Sequence, residues 1–455
     1  MGRITLALAA QWCGGQIDEK YADVSFLGAS GDHRWVKPGE LFVTLDQGPN
    51  LNESIRVAME RGAAAILSGV CIKDHPCIVV SDPRRALGDI ARKERNRIGM
   101  QVVGVTGSVG KTTVTEMIAC VLEGTYRVGK TLSNQFEDIG MPMAILAMPE
   151  DTQVAVLEMG MNHFREIAYL TSVARPDLAV ITNIGGAPGE SSLSPEEILR
   201  AKLEILEGMR EESKVILNGD DPLLWKQRDK PPVATVFYGT QNAECDFLAE
   251  NITRNGGVTG FTIRTKDQRF PMELSPEGEC FALDAMAAVC VGLQMGVAPA
   301  LIQERLSAFR NTQDVTREEK LGDLNLILSC WNAGPVSMAN ALEDLGKRSG
   351  RRIAVLGDIL ELKICTQAEH YRIGRLAAEN ADIMLAYGPN ARRLLSGAIT
   401  GGMSPNKAMA FTEEEKLLST LEALVRPADT VLFKGCRSTQ MQKLADSFIK
   451  RRKEI

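Results

Sequence analysis

The sequence predicts an α/β protein of three domains, the middle one built on a parallel sheet that opens into a phosphate loop. Three observations lead there. Short β-branched apolar runs alternate with amphipathic runs at helical spacing along the chain. One strand-to-helix turn reads GVTGSVGKTT. The chain has 455 residues, too many for one ordinary core.

A small α/β domain is expected over residues 1–98, from strand-like ELFVTL (40–45), AAAILS (63–68) and CIVVSD (77–82) between helical runs at 52–63 and 82–97. The charged run Arg92 to Arg97 leads into the next strand and sets a boundary near 99. The middle domain, 99–314, carries QVVGVTG, VAVLEMG (154–160), DLAVITNIG (177–185) and KVILNGDD (214–221), mostly with helical crossovers. Such runs make a parallel sheet covered on both faces. A more polar strand-like stretch follows at 233–274, then a helix at 281–296, then a polar segment at 306–322 that reads as a linker. The last domain, 315–455, is a second, Rossmann-like alternation: NLILSC (325–330), RIAVLGD (352–358), IMLAYG (383–388) and TVLFKG (430–435), with helices at 335–347, 367–380 and 414–425.

Composition narrows the function. Apolar residues at 44% and charged residues at 24% are ordinary for a globular protein. A net charge of −6 argues against a nucleic-acid partner, and the basic run Lys450 to Lys453 reads as the end of a C-terminal helix. Aromatics at 5% leave little for base stacking. Ten cysteines with no C-x-x-C pair do not support a zinc ribbon, and Cys120, Cys280 and Cys290 read as reduced core residues. MGRITLALAAQWCGG does not read as a signal peptide, and no apolar run is long enough to span a bilayer, so a cytoplasmic protein is expected.

The glycine turn carries the clearest chemistry. Gly104, Gly107 and Gly110 precede Lys111, Thr112 and Thr113, after a strand and before a helix. Glycines let backbone N–H groups turn toward phosphate oxygens, and the helix adds its positive end. Ser108 and Thr113 belong to the same cradle. Lys111 can reach the β- and γ-phosphates, and the Thr112 hydroxyl can take Mg²⁺. Glu158 ends the next strand, where a carboxylate beside a phosphate loop suits the same ion. His163 follows in MGMNHFREIAYL, and Lys202 lies in the amphipathic run EEILRAKLEILEGM. Asp220 and Asp221 read first as a turn with a helix cap. Asn332, the pair Asp358 and Glu361, and the pair Lys434 and Arg437 fall on three loops at the C-terminal edge of the last sheet, and together suggest one binding edge.

In order, GVTGSVGKTT, LEMGMNHFREIAYL, TNIG, ILRAKLEI, LNGDDP, WNAGP, VLGDILEL with a later His370, and KGCRS resemble the Mur ligase family over nearly the whole chain. That resemblance implies an ATP-dependent, amide-forming enzyme of peptidoglycan synthesis, and within the family it points to the members that add D-alanyl-D-alanine to a UDP-N-acetylmuramoyl-tripeptide. The segment GDHRWVKPGELFV resembles the family's first domain, which holds the nucleotide-sugar substrate. ATP and Mg²⁺ are implied, with an acyl phosphate attacked by an amine. Lys111, Glu158 and Lys202 are the implied catalytic set, Lys202 in carbamylated form as a metal ligand beside Thr112 and Glu158. Asn332 and Arg317 are expected at the nucleotide; His163, Asp358, Glu361, Lys434 and Arg437 at substrate. A monomer is expected.

The chain departs from the family pattern in several places. Pro188 stands where a histidine metal ligand is usual, and Phe281 and Asp284 stand at asparagine positions of the adenine helix. LSCWNAGP carries Leu328, Ser329 and Trp331 in place of two acids and a tyrosine, and SNQFEDIG keeps only Asn134 of an asparagine-rich stretch. The usual aspartate-glycine-histidine of the first domain is missing near residues 50–54. Two further readings therefore stay open: a Mur-like nucleotide-binding paralogue without full turnover, and a Mur-type ligase for another acid and amine.

Overall fold

The structure is a computed structural model. It describes residues 4–453 except 46, 47, 49, 133, 134, 162, 186–192, 229, 231, 256, 257, 275–278, 310–316, 331, 332, 334, 360–365 and 436–438. The chain divides into two compact units, residues 1–185 with 194–310 and residues 186–193 with 311–455.

The first unit begins with an antiparallel pair, β1 (Ile4–Thr5) and β2 (Ser25–Phe26). A four-stranded parallel sheet follows, in the order β3 (Ala29–Ser30), β4 (Leu41–Val43), β5 (Ala65–Ser68) and β6 (Cys77–Val79). The helix Pro83–Ile98 closes this part. Asp82 caps its start by accepting from the Arg84 and Arg85 amides at 2.9 and 3.2 Å, and Gly99 ends it in the left-handed region.

Nine strands make the large sheet: β7 (Gln101–Thr106), β8 (Val128–Lys130), β9 (Val154–Glu158), β10 (Leu178–Ile181), β11 (Lys214–Asn218), β12 (Ala234–Gly239), β13 (Phe247–Asn255), β14 (Val258–Arg264) and β15 (Arg269–Leu274). Their order is β15-β14-β13-β12-β11-β10-β7-β9-β8, parallel from β8 to β13 and antiparallel beyond. β9 reads VAVLE and every residue is buried, because helices cover both of its faces. β14 alternates buried and less buried residues, as a strand with one covered face must. On one face, the helix Lys111–Leu122 buries Val114, Met117, Ile118, Val121 and Leu122 against the helix Glu279–Gln294. On the other, one apolar cluster runs from Leu41, Leu67 and Ile90 to Leu157, Ile181 and Leu217, so residues 4–98 share a core with the large sheet.

The second unit is a six-stranded sheet in the order β16 (Arg317–Leu321), β17 (Leu324–Ser329), β21 (Thr430–Lys434), β18 (Arg352–Gly357), β19 (Ile383–Tyr387) and β20 (Ala408–Phe411). Only the β16–β17 pair is antiparallel. The supposed linker at 306–322 is a correction: the helix Pro299–Ala308 covers its start and β16 its end. The charged REEKL of β16 reads as loop in sequence because it is an edge strand with mostly solvated side chains.

Candidate active site

The β7 loop, the end of β9 and the loop after β10 meet at one edge, because β7 lies between β9 and β10. The chain leaves β7 toward one side of the sheet and later crosses to the other, and ligands lie at such a reversal. Gly104, which opens the glycine run in the sequence, is not part of the loop: it sits inside β7, where a Cβ would meet Pro176 at 2.9 Å. The loop proper starts at Gly107. A Cβ there would lie 2.0 Å from Thr182 Oγ1, and its φ of +142° suits only glycine.

Residues 182–185 brace the loop. Ser108 N–H donates to the Asn183 carbonyl at 3.1 Å, and Val109 N–H to Asn183 Oδ1 at 2.9 Å. Thr182 Oγ1 and Asn183 Nδ2 both donate to the Val109 carbonyl, and Gly185 N–H donates to Ser108 Oγ at 2.7 Å. The bracing role of Thr182 and Asn183 was missed by motif reading, since TNIG has no chemistry of its own until β10 is placed beside β7. Asp220 and Asp221 are structural: Asp220 accepts from the amides of Thr240, Gln241 and Asn242, and Asp221 from those of Leu223, Leu224 and Ile184.

Lys111 begins the helix and folds its Nζ back to the carbonyls of Gly107 (3.0 Å) and Ser108 (3.2 Å). Thr112 Oγ1 donates to Glu158 Oε2 at 2.8 Å. Thr113 is half-buried in the same turn. Glu158 is 2% exposed, and burial pushes its carboxyl above the usual range, with Lys111 and the Thr112 hydroxyl opposing and Glu116 adding to the rise. A hydroxyl and a carboxylate 2.8 Å apart are a fitting oxygen pair for a small hard cation that draws its other ligands from water and phosphate.

Lys202 is 1% exposed in the helix Pro195–Leu203, whose start is held by the capping box of Ser194 and Glu197. Helical spacing alone suggests a surface lysine; packing puts this one inside. His163 is exposed after β9, and its N–H donates to Glu166 Oε2 at 3.1 Å. Asp284, on the helix Glu279–Gln294, places Oδ1 2.9 Å from where a Cβ on Gly110 would lie. It keeps part of its surface open, yet the protein around it pushes its pKa up to about 8.

In the second unit, Asp358, just past β18, is fully buried. It accepts from the Asn390 amide at 3.0 and 3.1 Å and from Asn390 Nδ2 at 3.2 Å. His370, also fully buried, accepts the Ile359 amide on Nε2 at 3.0 Å, and the same nitrogen lies 3.7 Å from Asp358. Lys434, at the end of β21, is 2% exposed and donates to Ser329 Oγ at 2.9 Å. Arg317 opens β16 beside the end of β17 and is exposed, 3.9 Å from Glu319. Asn332, Glu361, Arg437, Asn134, Pro188 and Trp331 lie outside the described residues. Among the cysteines, Cys290 is buried and Cys120 half-buried, both free. Among the described residues no helix is long and apolar enough to cross a membrane, and no cluster of three or more His, Cys, Asp or Glu side chains could hold a metal.

Comparison with known proteins agrees with this architecture. Residues 105–292 match the Mur ligase middle domain, and residues 314–437 the Mur ligase, glutamate ligase domain. The chain is 32% identical over 440 residues to the UDP-N-acetylmuramoyl-tripeptide–D-alanyl-D-alanine ligase of Bacillus subtilis, covering 94% of both chains. It is 30% identical over 429 residues to the Escherichia coli enzyme of the same name, covering 93% of this chain and 94% of that one. Among solved structures it resembles MurF from Acinetobacter baumannii, with TM-score 0.85, 26% identity and 99% of each chain covered. It also resembles MurF from Thermotoga maritima in complex with ADP, with TM-score 0.75, 25% identity, and 94% and 98% covered. With both family domains in order and relatives aligned end to end, this chain belongs to the Mur ligase family.

Proposed function

We propose that this protein joins D-alanyl-D-alanine to a UDP-N-acetylmuramoyl-tripeptide, using ATP and an acyl-phosphate intermediate. The observation that carries the reading is the braced loop Gly107–Thr113 beside Glu158, in a chain aligned over 94% of its length with a relative of that name. Residues 1–98 would hold the nucleotide-sugar end, 99–314 the ATP and 315–455 the amine, acting as a monomer in the cytoplasm.

The chemistry follows from what the side chains offer. The stem carboxylate attacks the γ-phosphorus of ATP and ADP leaves; the amine then attacks the acyl carbon and phosphate leaves. Two anions must meet in the first step, so positive charge at the γ-phosphate matters most. Lys111 now rests on the Gly107 and Ser108 carbonyls and would swing to the phosphates. The Gly107, Ser108 and Gly110 backbone would hold the β-phosphate. Thr112 and Glu158 would hold Mg²⁺, which when bound neutralises phosphate charge. A carbamylated Lys202 would add a second anionic ligand, and its burial suits a lysine whose ammonium is not solvated. Bicarbonate removal should then lower activity and its return restore it; a fully active Lys202→Arg variant would overturn this role.

The second reading, a nucleotide-binding paralogue, draws support from Asp284, which stands against Gly110 and carries a charge there once pH passes about 8. Phosphate release from ATP and Mg²⁺ decides between them, with the UDP-muramoyl tripeptide and D-alanyl-D-alanine omitted in turn. The ligase reading expects release only with both present, and a loss of about 10³-fold or more in Lys111→Ala. ATP binding without release under any combination would favour the paralogue. Release with a different acid or amine would favour the third reading.

A further inference from the structure

We infer that Glu204 is a positioning residue for His163: its carboxylate fixes the backbone turn at Arg165, through which the chain carries His163 into the helix Glu166–Ala174. The inference rests on the proposed ligase reading, in which His163 meets the muramoyl-peptide substrate, and it gives a role to a residue which that reading does not use.

The helix Glu166–Ala174 follows β9, while the helix Pro195–Leu203 and its 3₁₀ extension Glu204–Gly208 lie between β10 and β11. Both pack into one apolar cluster through Ile167, Leu170 and Ile205. Glu204 is 6% exposed. Its Oε1 accepts from the Arg165 N–H at 2.9 Å and its Oε2 from the Ala168 N–H at 3.1 Å. These donors sit at a helix start, where the helix has no carbonyl of its own to offer. Other helices of this unit take such a bond from the residue at their own start: Asp82, Ser194 or Asp221. Arg165 makes no side-chain bond of this kind. It stands at φ +74°, in the left-handed region that an arginine seldom adopts. Glu204 holds it there by the amide, and Glu207 Oε1 takes its guanidinium at 2.6 Å. Thr171 Oγ1 donates to the Ile205 carbonyl at 2.8 Å and ties the next turn to the same segment.

His163 lies two residues before Arg165, exposed, in the loop that leaves Glu158. A residue in the left-handed region changes the direction of the chain within one step. Where His163 points therefore depends on Arg165 keeping that conformation. Arginine does not keep it unaided, whereas glycine would. A buried carboxylate is costly unless its oxygens are bonded, and both oxygens of Glu204 go to this one helix start.

The test uses the whole chain as wild type, Glu204→Gln, Arg165→Val, His163→Ala and the double variants R165G/E204Q and H163A/E204Q. Calorimetry reads the affinity for the UDP-muramoyl tripeptide and, separately, for ADP with Mg²⁺. Glu204→Gln, which leaves one acceptor, should weaken the tripeptide about tenfold and leave ADP within about twofold. Arg165→Val should do the same with Glu204 intact, because a β-branched residue resists positive φ, and it serves if Glu204→Gln does not fold. R165G/E204Q should return the tripeptide affinity toward wild type, since glycine stays left-handed without help. A carboxylate that only caps the helix would not be replaced by glycine, which brings no side-chain oxygen. H163A/E204Q should bind no worse than His163→Ala, as residues acting in series do. Unmoved tripeptide affinity in Glu204→Gln and Arg165→Val, an equal loss of ADP, no return with glycine, or additive losses with His163→Ala would overturn the proposal while wild type still binds the tripeptide. A wild type that binds ADP but no tripeptide would bring down the substrate reading, and the proposal with it.

Discussion

Two sheets present polar side chains at the C-terminal ends of their central strands, and they use them differently. In the first unit the groups at this edge are held by one or two hydrogen bonds each: Lys111 on two carbonyls of its own loop, Thr112 on Glu158, Ser108 on Gly185. A ligand can compete for such bonds, since a hydrogen bond to a charged group is worth about 1.5–3 kcal/mol net and a phosphate or a cation offers a charged partner in exchange. In the second unit the acid at the strand end is part of the framework. Asp358 ties the loop after β19 through Asn390 and lies against His370 from a helix. That makes Asp358 a poor direct contact for substrate, against the expectation from sequence, and a good brace for loops that could make one. The same location in a parallel sheet thus carries groups on few, replaceable hydrogen bonds in one unit and an acid tied into the framework in the other.

The contrast can be broken by substitution. Glu158→Gln should cost turnover about 10²-fold or more, while thermal stability holds or rises, because burial already disfavours the charge. Steady-state rates and a melting curve on the same sample check both halves; a large fall in melting temperature would make Glu158 a brace like Asp358.

Asp358→Ala should show the reverse pattern. It strands the Asn390 donors in a buried site and should cost about 2–3 kcal/mol in urea unfolding. Nucleotide binding in the first unit should be kept. A stable Asp358→Ala protein with raised KM for the amine would instead return Asp358 to the substrate.

A pH test sharpens the first region alone. Asp284 has its pKa raised from 3.8 to about 8, so the folded state binds a proton more tightly than the unfolded chain. Its contribution is complete below about pH 4 and is lost as pH rises through about 8. Asp284→Asn should therefore match wild type near pH 4 and become the more stable of the two as pH rises toward 8, the gap widening by at most about 1.4 kcal/mol per pH unit. Melting curves across that range test the sign, and a wild type more stable at pH 8 than the variant would refute it.

Much of the first region was legible because its chemistry is local. Gly107 to Thr113 are contiguous, and the strand before them and helix after them have clear periodicity. Glu158 was legible from its place at a strand end. The part of Glu204 is not, since the amides it binds lie on a helix start 36 and 39 residues earlier, and no pattern in either segment pairs them. In the second region Asp358 and Lys434 are legible as strand-end residues but their burial is not, and β16 reads as linker because its side chains are mostly polar.

The sequence by itself determined the α/β alternation, the phosphate loop and the family, since each is written in contiguous residues or in their order along the chain. Only the tertiary structure decided that β10 braces the loop, that Lys202 is inside, that Glu204 meets the start of the helix Glu166–Ala174, and that Asp358 is a brace. Those facts depend on which strands become neighbours. Strand order is set by packing both faces of a twisted sheet, over separations from 36 residues for Ala168 and Glu204 to 105 for Ser329 and Lys434.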